Sequence, residues 1–120
     1  EKASAAVTRP LNLLREADTY GKRKGAAFGL AGVVKGLGIS ALKNHGVIET
    51  LKSYVEDKKD PNVREAALLA YGCLCGQLGR LFEPYIIHIL PLLLVAFGDG
   101  ITAVREAAVN ASQVIMSKLS

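Results

Sequence analysis

The sequence predicts an all-α fold, an α-α superhelix of about three helix pairs, and three observations carry that prediction. The first is an internal repeat of about 40 residues that fills the chain of 120. The second is the recurrence of helix breakers midway through each unit. The third is composition: half the residues are hydrophobic, supplied mostly by Ala, Leu and Val, with no Trp and few aromatics. That mix suits closely packed helices better than a β-sandwich, which favours β-branched and aromatic residues.

The repeat is legible in the strings themselves. "VREAALLAYGCL" from Val63 and "VREAAVNASQVI" from Val104 align at an offset of 41, and "RKGAAFGLAGVV" from Arg23 aligns with the first at an offset of 40. In that alignment Lys24, Arg64 and Arg105 share a position. Leu11, Leu51 and Leu92 coincide, as do Pro10 and Pro91, and Asp18 and Asp99. The units fall at roughly 1–38, 39–79 and 80–120 of a single domain read as part of a longer array. Helix pairs joined by short turns at this period are the HEAT or armadillo pattern, and two helices per unit favour HEAT. Six helices are expected in a right-handed solenoid, with breaks near 18–20, 38–42, 57–61, 79–83 and 98–101.

Each element has a local justification. "KKDPN" from Lys58 to Asn62 stops a helix and starts the next, with Asp60 as N-cap and Pro61 at the first helical position. "GDG" from Gly98 does the same in the third unit. Glu83 to Phe97 reads as a helix apolar on most faces, kinked at Pro91 and therefore buried. Its apolar run, Tyr85 to Phe97, is too short for a membrane span of about 20 residues. Both ends of the chain read as ordinary repeat interior, so apolar faces are expected there.

The glycines need a separate account. Gly36-Leu37-Gly38-Ile39-Ser40-Ala41 satisfies a relaxed dinucleotide-binding pattern, with Glu56 and Asp57 about 20 residues on. A dinucleotide fold needs a strand before the glycines and a parallel strand after the next helix. Neither is present, and no Walker pattern occurs. Gly25, Gly29, Gly32 and Gly36 instead lie along one helical face, continued by Gly72, Gly76 and Gly79 in the second unit. They are read as sites of close helix approach, where Gly32→Leu or Gly72→Leu should damage the fold.

Catalytic and metal chemistry finds no foothold. His45 and His88 lack partners at ligand spacing, no G-x-S-x-G occurs, and Cys73 and Cys75 read as small core residues of a reducing compartment. No catalytic, cofactor-binding or metal residue is assigned, and no cofactor is expected. Two charged sets stand out. Asp18 with Lys24, Arg64, and Asp99 with Arg105 suggest a ladder in which the acid of one repeat bonds the base of the next. Lys58 occupies the acid's place in the middle unit. The net charge of +4 arises entirely in residues 1–60, with eleven basic against seven acidic residues, while residues 61–120 carry four of each. Lys22, Arg23, Lys24, Lys58 and Lys59 are expected on one rim of intra-repeat turns, fit either for solvation or for contact with ribosomal RNA or an acidic partner.

"YGKRKGAAFGLAGVVKGLGI" (Tyr20 to Ile39), "LGRLFEPYIIHILPLLLVAFGDG" (Leu78 to Gly100) and "AVREAA" (Ala103 to Ala108) closely resemble the very large HEAT-repeat translational activators of the general amino-acid control pathway. They resemble the region of that family similar to fungal translation elongation factor three. The resemblance implies a non-catalytic, cytosolic, ribosome-associated scaffold. It implies an ATP-binding-cassette partner protein and activation of the initiation factor two alpha kinase, the kinase contact lying in other parts of the full-length protein. The alternatives are a transport- or phosphatase-type HEAT adaptor, or the HEAT domain of a translation elongation factor.

Overall fold

The computed structural model describes residues 2–120 and contains no strand among them. The helices are α1 (Lys2–Glu16), α2 (Tyr20–Leu37), α3 (Ala41–Asn44), α4 (Val47–Val55), α5 (Pro61–Leu78), α6 (Glu83–Ala96) and α7 (Thr102–Leu119), with a 3-10 turn at Gly79–Phe82 between α5 and α6. α2, α5 and α7 form an inner row in which α5 packs against both neighbours, and α1, α4 and α6 lie on the outer side. The row explains the composition of α5. A helix flanked by α2, α4 and α7 has little solvent face, and 11 of its 18 residues are buried.

The core runs continuously through the stack, from Val7, Leu11 and Leu14 of α1 through Leu30, Leu51, Leu68 and Leu74 to Phe82, Ile89 and Leu93. Each fully buried Leu contributes about 1.5–3 kcal/mol relative to an exposed one, so helices with weak individual propensity are held by packing. The inner helices begin at Thr19, Asp60 and Ile101, each in extended backbone, and these three positions are 41 residues apart. The Thr19 hydroxyl accepts from Lys22 N, and the Asp60 carboxylate accepts from Asn62 N and Val63 N, meeting donors a helix start leaves unpaired.

Three expectations are corrected. The outer helix of the second pair is split: Gly46, at φ 63°, separates the short α3 from α4, so that the six expected helices are joined by one of four residues among the described residues. "KNHG" is the turn signal that marks it. Secondly, α6 is continuous through Pro91 but not buried on most faces; only Ile86, Ile89, Leu93 and Ala96 are covered, while Ile87, Leu90, Leu94 and Val95 are exposed.

The third correction concerns the glycine stripe. An added Cβ at Gly72 would meet Ala111 Cα of α7 at 3.6 Å, and one at Gly76 would meet Val114 Cγ1 at 3.7 Å. Those two sit at a helix contact. Gly25, Gly29 and Gly36 have nothing within 4 Å, and Gly32 meets only Gln77 Oε1 at 3.9 Å. With the inner helices in a 41-residue register, Gly25 and Gly29 correspond to Ala66 and Ala70, both fully buried on α5. α5 has an inner helix on each side and α2 has one only on its α5 side, so the same register positions are packed in one and open in the other.

Candidate partner-binding edge

The turns between outer and inner helices are drawn together by ion pairs. Arg64 Nε donates to Asp99 Oδ2 at 2.8 Å and Arg64 Nη2 to Asp99 Oδ1 at 3.0 Å, a bidentate bridge from the first turn of α5 to the α6–α7 turn. Its Nη1 donates back to the Asp57 carbonyl at 2.9 Å. Arg23 is built the same way, with Nη1 donating to the Ala17 carbonyl at 3.1 Å and Nε to Glu65 Oε1 at 2.9 Å. Arg105 Nη1 donates to the Asp99 carbonyl, and its Nη2 to Thr102 Oγ1 at 2.9 Å. In all three units an arginine four residues after the cap ties its own turn together.

This geometry corrects the ladder drawn from sequence. The residue equivalent to Arg64 and Arg105 is Arg23, not Lys24, and the register is 41 throughout. Aligning the paired alanines hides this; counting from the helix starts at Thr19, Asp60 and Ile101 reveals it. The direction also reverses, since the base of one unit bonds the acid of the next. Lys58 holds the acid's position in the second unit, so Arg23 turns to Glu65, one residue past Arg64. Asp18 pairs instead with Lys22 at 3.1 Å on the exposed surface.

The rim set divides accordingly. Arg23 is only 7 % exposed and its charge is matched by the buried Glu65. It belongs to the structure rather than to the surface. Lys22, Lys24, Lys58 and Lys59 are exposed. Lys22 is tied to Asp18, while Lys24, Lys58 and Lys59 form no ion pair among the described residues. Nearby Asp57 and Asp60 are engaged as backbone acceptors, Asp57 from Lys59 N and Asp60 N. The Arg23–Glu65 pair joins the starts of α2 and α5; Lys22 and Lys24 lie near the start of α2, and Lys58 and Lys59 in the turn before α5. The third turn, Gly98–Ile101, adds no lysine.

The structural pair carries an electrostatic perturbation of its own. The hydrogen bond from Arg64 holds the Asp99 carboxyl below the usual range, aided by Ile101 N at 2.9 Å. Burial pushes the Cys73 and Cys75 thiols up, away from the reactive thiolate. No group of three or more His, Cys, Asp or Glu suited to a metal occurs among the described residues. A groove of about 670 Å³ between α4 and α6, walled by Val55, Leu92 and Val95, contains the Arg64–Asp99 pair but no nucleophile beside a base. Residues 61–96 are apolar enough for a membrane span by length and composition alone. They are divided by the 3-10 turn into two helices, the first of them enclosed by its neighbours.

An all-helical stack of helix pairs, tied turn to turn by arginine–carboxylate bridges, defines a HEAT-repeat scaffold. Residues 23–120 match the EF3 N-terminal HEAT repeat, and the chain belongs to that family. Within it the chain is 57 % identical over 108 residues to "eIF-2-alpha kinase activator GCN1" of Dictyostelium discoideum, covering 90 % of this chain. It is 50 % identical over all 120 residues to "Stalled ribosome sensor GCN1" of Mus musculus. Identity to "Elongation factor 3" of Mycosarcoma maydis is lower, 33 % over 81 % of the chain, and that alignment covers 9 % of the relative. The chain is therefore a HEAT segment of GCN1-like type. It spans about 4 % of the length of each of the two GCN1 relatives. No solved structure matches.

Proposed function

We propose that this chain is a non-catalytic scaffold segment of a translational activator, and that Lys24, Lys58 and Lys59 form an edge that contacts phosphates of ribosomal RNA. The observation that carries the reading is the separation of charges. Arg23 and Arg64 are matched by buried or half-buried acids, while Lys24 at the start of α2 and Lys58 and Lys59 in the turn before α5 are exposed and form no ion pair among the described residues. Exposed lysines along an edge suit phosphate neutralisation, which dominates sequence-independent nucleic-acid binding. Similarity to a protein named a stalled ribosome sensor supports the ribosome as the source of those phosphates. In this reading the protein works in the cytosol. Its ATP-binding-cassette partner and the initiation factor two alpha kinase are engaged through other parts of a longer polypeptide.

The test is ribosome co-sedimentation across a salt series with Lys24, Lys58 and Lys59 all changed to Glu. Each lost phosphate contact should flatten the log–log salt dependence by roughly 0.7–0.9. Circular dichroism should show helicity unchanged, and the control pair Lys35→Glu and Lys118→Glu should bind like the parent. Equal binding by the triple variant and the parent at every salt concentration would leave these lysines a solvated edge.

A further inference from the structure

The buried ion pair between α2 and α5 is only half closed. Arg23 Nε bonds Glu65 Oε1 at 2.9 Å and Arg23 Nη1 bonds the Ala17 carbonyl, which leaves Arg23 Nη2 and Glu65 Oε2 without a partner among the described residues. The one unpartnered side-chain polar atom sealed from solvent among those residues is Tyr71 Oη, so these two atoms are reached by solvent. Their residues line a groove of about 680 Å³ that crosses the starts of α2, α5 and α7. Both residues are more than nine-tenths buried, so the groove holds a donor and an acceptor in fixed positions. Tyr20, Asn62, Glu106 and Asn110 line the same groove and are exposed. Their side chains form no hydrogen bond or ion pair among the described residues.

We propose that this groove binds an extended peptide segment of basic character, laid across the inner helices with its main chain on the Arg23–Glu65 pair and a Lys or Arg side chain at Glu106. Each peptide residue offers one N–H and one C=O, the complements of Glu65 Oε2 and Arg23 Nη2. The Asn62 and Asn110 amides each carry donors and an acceptor, and so fit further main-chain amides. Packed helices lie about 8–10 Å apart, and an extended chain rises about 3.3 Å per residue. The two steps from α2 to α7 therefore take about six residues. Charge selects the side chain. Arg23 is cancelled by Glu65, and the Arg105 guanidinium is turned back onto the α6–α7 turn, so Glu106 is left as the exposed, unpaired charge of the groove. Its carboxylate and that of Glu65 would repel a phosphate backbone, which favours peptide over RNA here. The inference stands independently of the lysine edge and its ribosome contact.

The probe is a library of acetylated, amidated heptapeptides, each mixture fixed at one position, titrated with the 120-residue chain at low salt and read by fluorescence polarisation. Mixtures with Arg fixed at a central position should bind about tenfold tighter than those with Glu there. The chain's net charge of +4 opposes such a preference elsewhere on its surface. Glu106→Gln should erase the preference while leaving the weaker mixtures unchanged. Asn62→Ala and Asn110→Ala should weaken all mixtures alike, by roughly fivefold, and N-methylation of the peptide main chain should do the same. All three substituted side chains are exposed, so urea melts of the variants should match the parent. No preference for Arg, a preference that survives Glu106→Gln, or binding indifferent to both asparagines would overturn the proposal. Binding of an oligouridine in place of the peptides, lost in Asn62→Ala, would assign the groove to RNA and overturn it as well.

Discussion

Asp99 performs three tasks with one side chain and its own carbonyl. Its carboxylate takes Arg64 in bidentate geometry, Oδ1 also accepts Ile101 N at the start of α7, and the carbonyl takes Arg105. A carboxyl depressed in the folded state adds stability that is complete above its unfolded pKa, about 3.9. That stability is lost as pH falls through the lower folded value. Asp99→Asn should therefore unfold at lower urea than the parent near neutrality, and the gap should close as pH drops below the ordinary aspartate range. A gap that stays constant in urea melts across the acid range would remove the charge from the account. Tyr71 makes the opposite case: it is fully buried and its hydroxyl has no hydrogen-bond partner among the described residues. An unmet buried donor is costly, so Tyr71→Phe should leave stability unchanged or raise it by about 1 kcal/mol. A clear loss in the same melts would show that the hydroxyl has a partner. At this scale the sequence identified Arg64 and Asp99 as ladder residues but misassigned Lys24. Neighbouring cations look alike until the helix start fixes which one points inward.

Among the elements, breaks were more legible than faces. Asp60-Pro61 and Gly98-Asp99-Gly100 act locally, through a cap, a fixed φ and a lost donor, so they show in the sequence. Gly46 is equally local; its turn signal simply sits within an apolar stretch that reads as one helix. At φ 63° it occupies the left-handed region, and Gly46→Ala should cost about 1–2 kcal/mol in thermal or urea melts. Faces depend on neighbours, which explains the misreading of α6 and of the first glycines. Gly25→Ala in the 120-residue chain should add helix propensity, up to about 1 kcal/mol, because nothing stands in the way. Gly72→Leu, against the Ala111 backbone, should cost about 1–3 kcal/mol by overpacking. If both variants melt like the parent, the assignment of packed and open sides along the inner row is wrong.

Across the whole molecule, the three pairs form one stack whose charge is sorted by depth. Arginines tie consecutive units at the turns, and lysines one or a few residues away stay in water. The repeat, the class and the basic first half were all legible, because periodicity and charge counts survive without coordinates. The split of the rim into structural and free cations was not, since it depends on Lys58 displacing an acid and on Glu65 replacing it. Arg23 and Lys24 test this sorting most directly, being adjacent in sequence and opposite in assigned role. Urea unfolding and ribosome co-sedimentation should be measured in parallel on Arg23→Gln and Lys24→Glu. Arg23→Gln should lose about 3–5 kcal/mol, because Glu65 is left buried and uncompensated. Lys24→Glu should stay within about 0.5 kcal/mol of the parent and bind ribosomes more weakly at low salt. If Arg23→Gln proves as stable as the parent, or Lys24→Glu binds as well as the parent at low salt, the division of labour along this edge is contradicted.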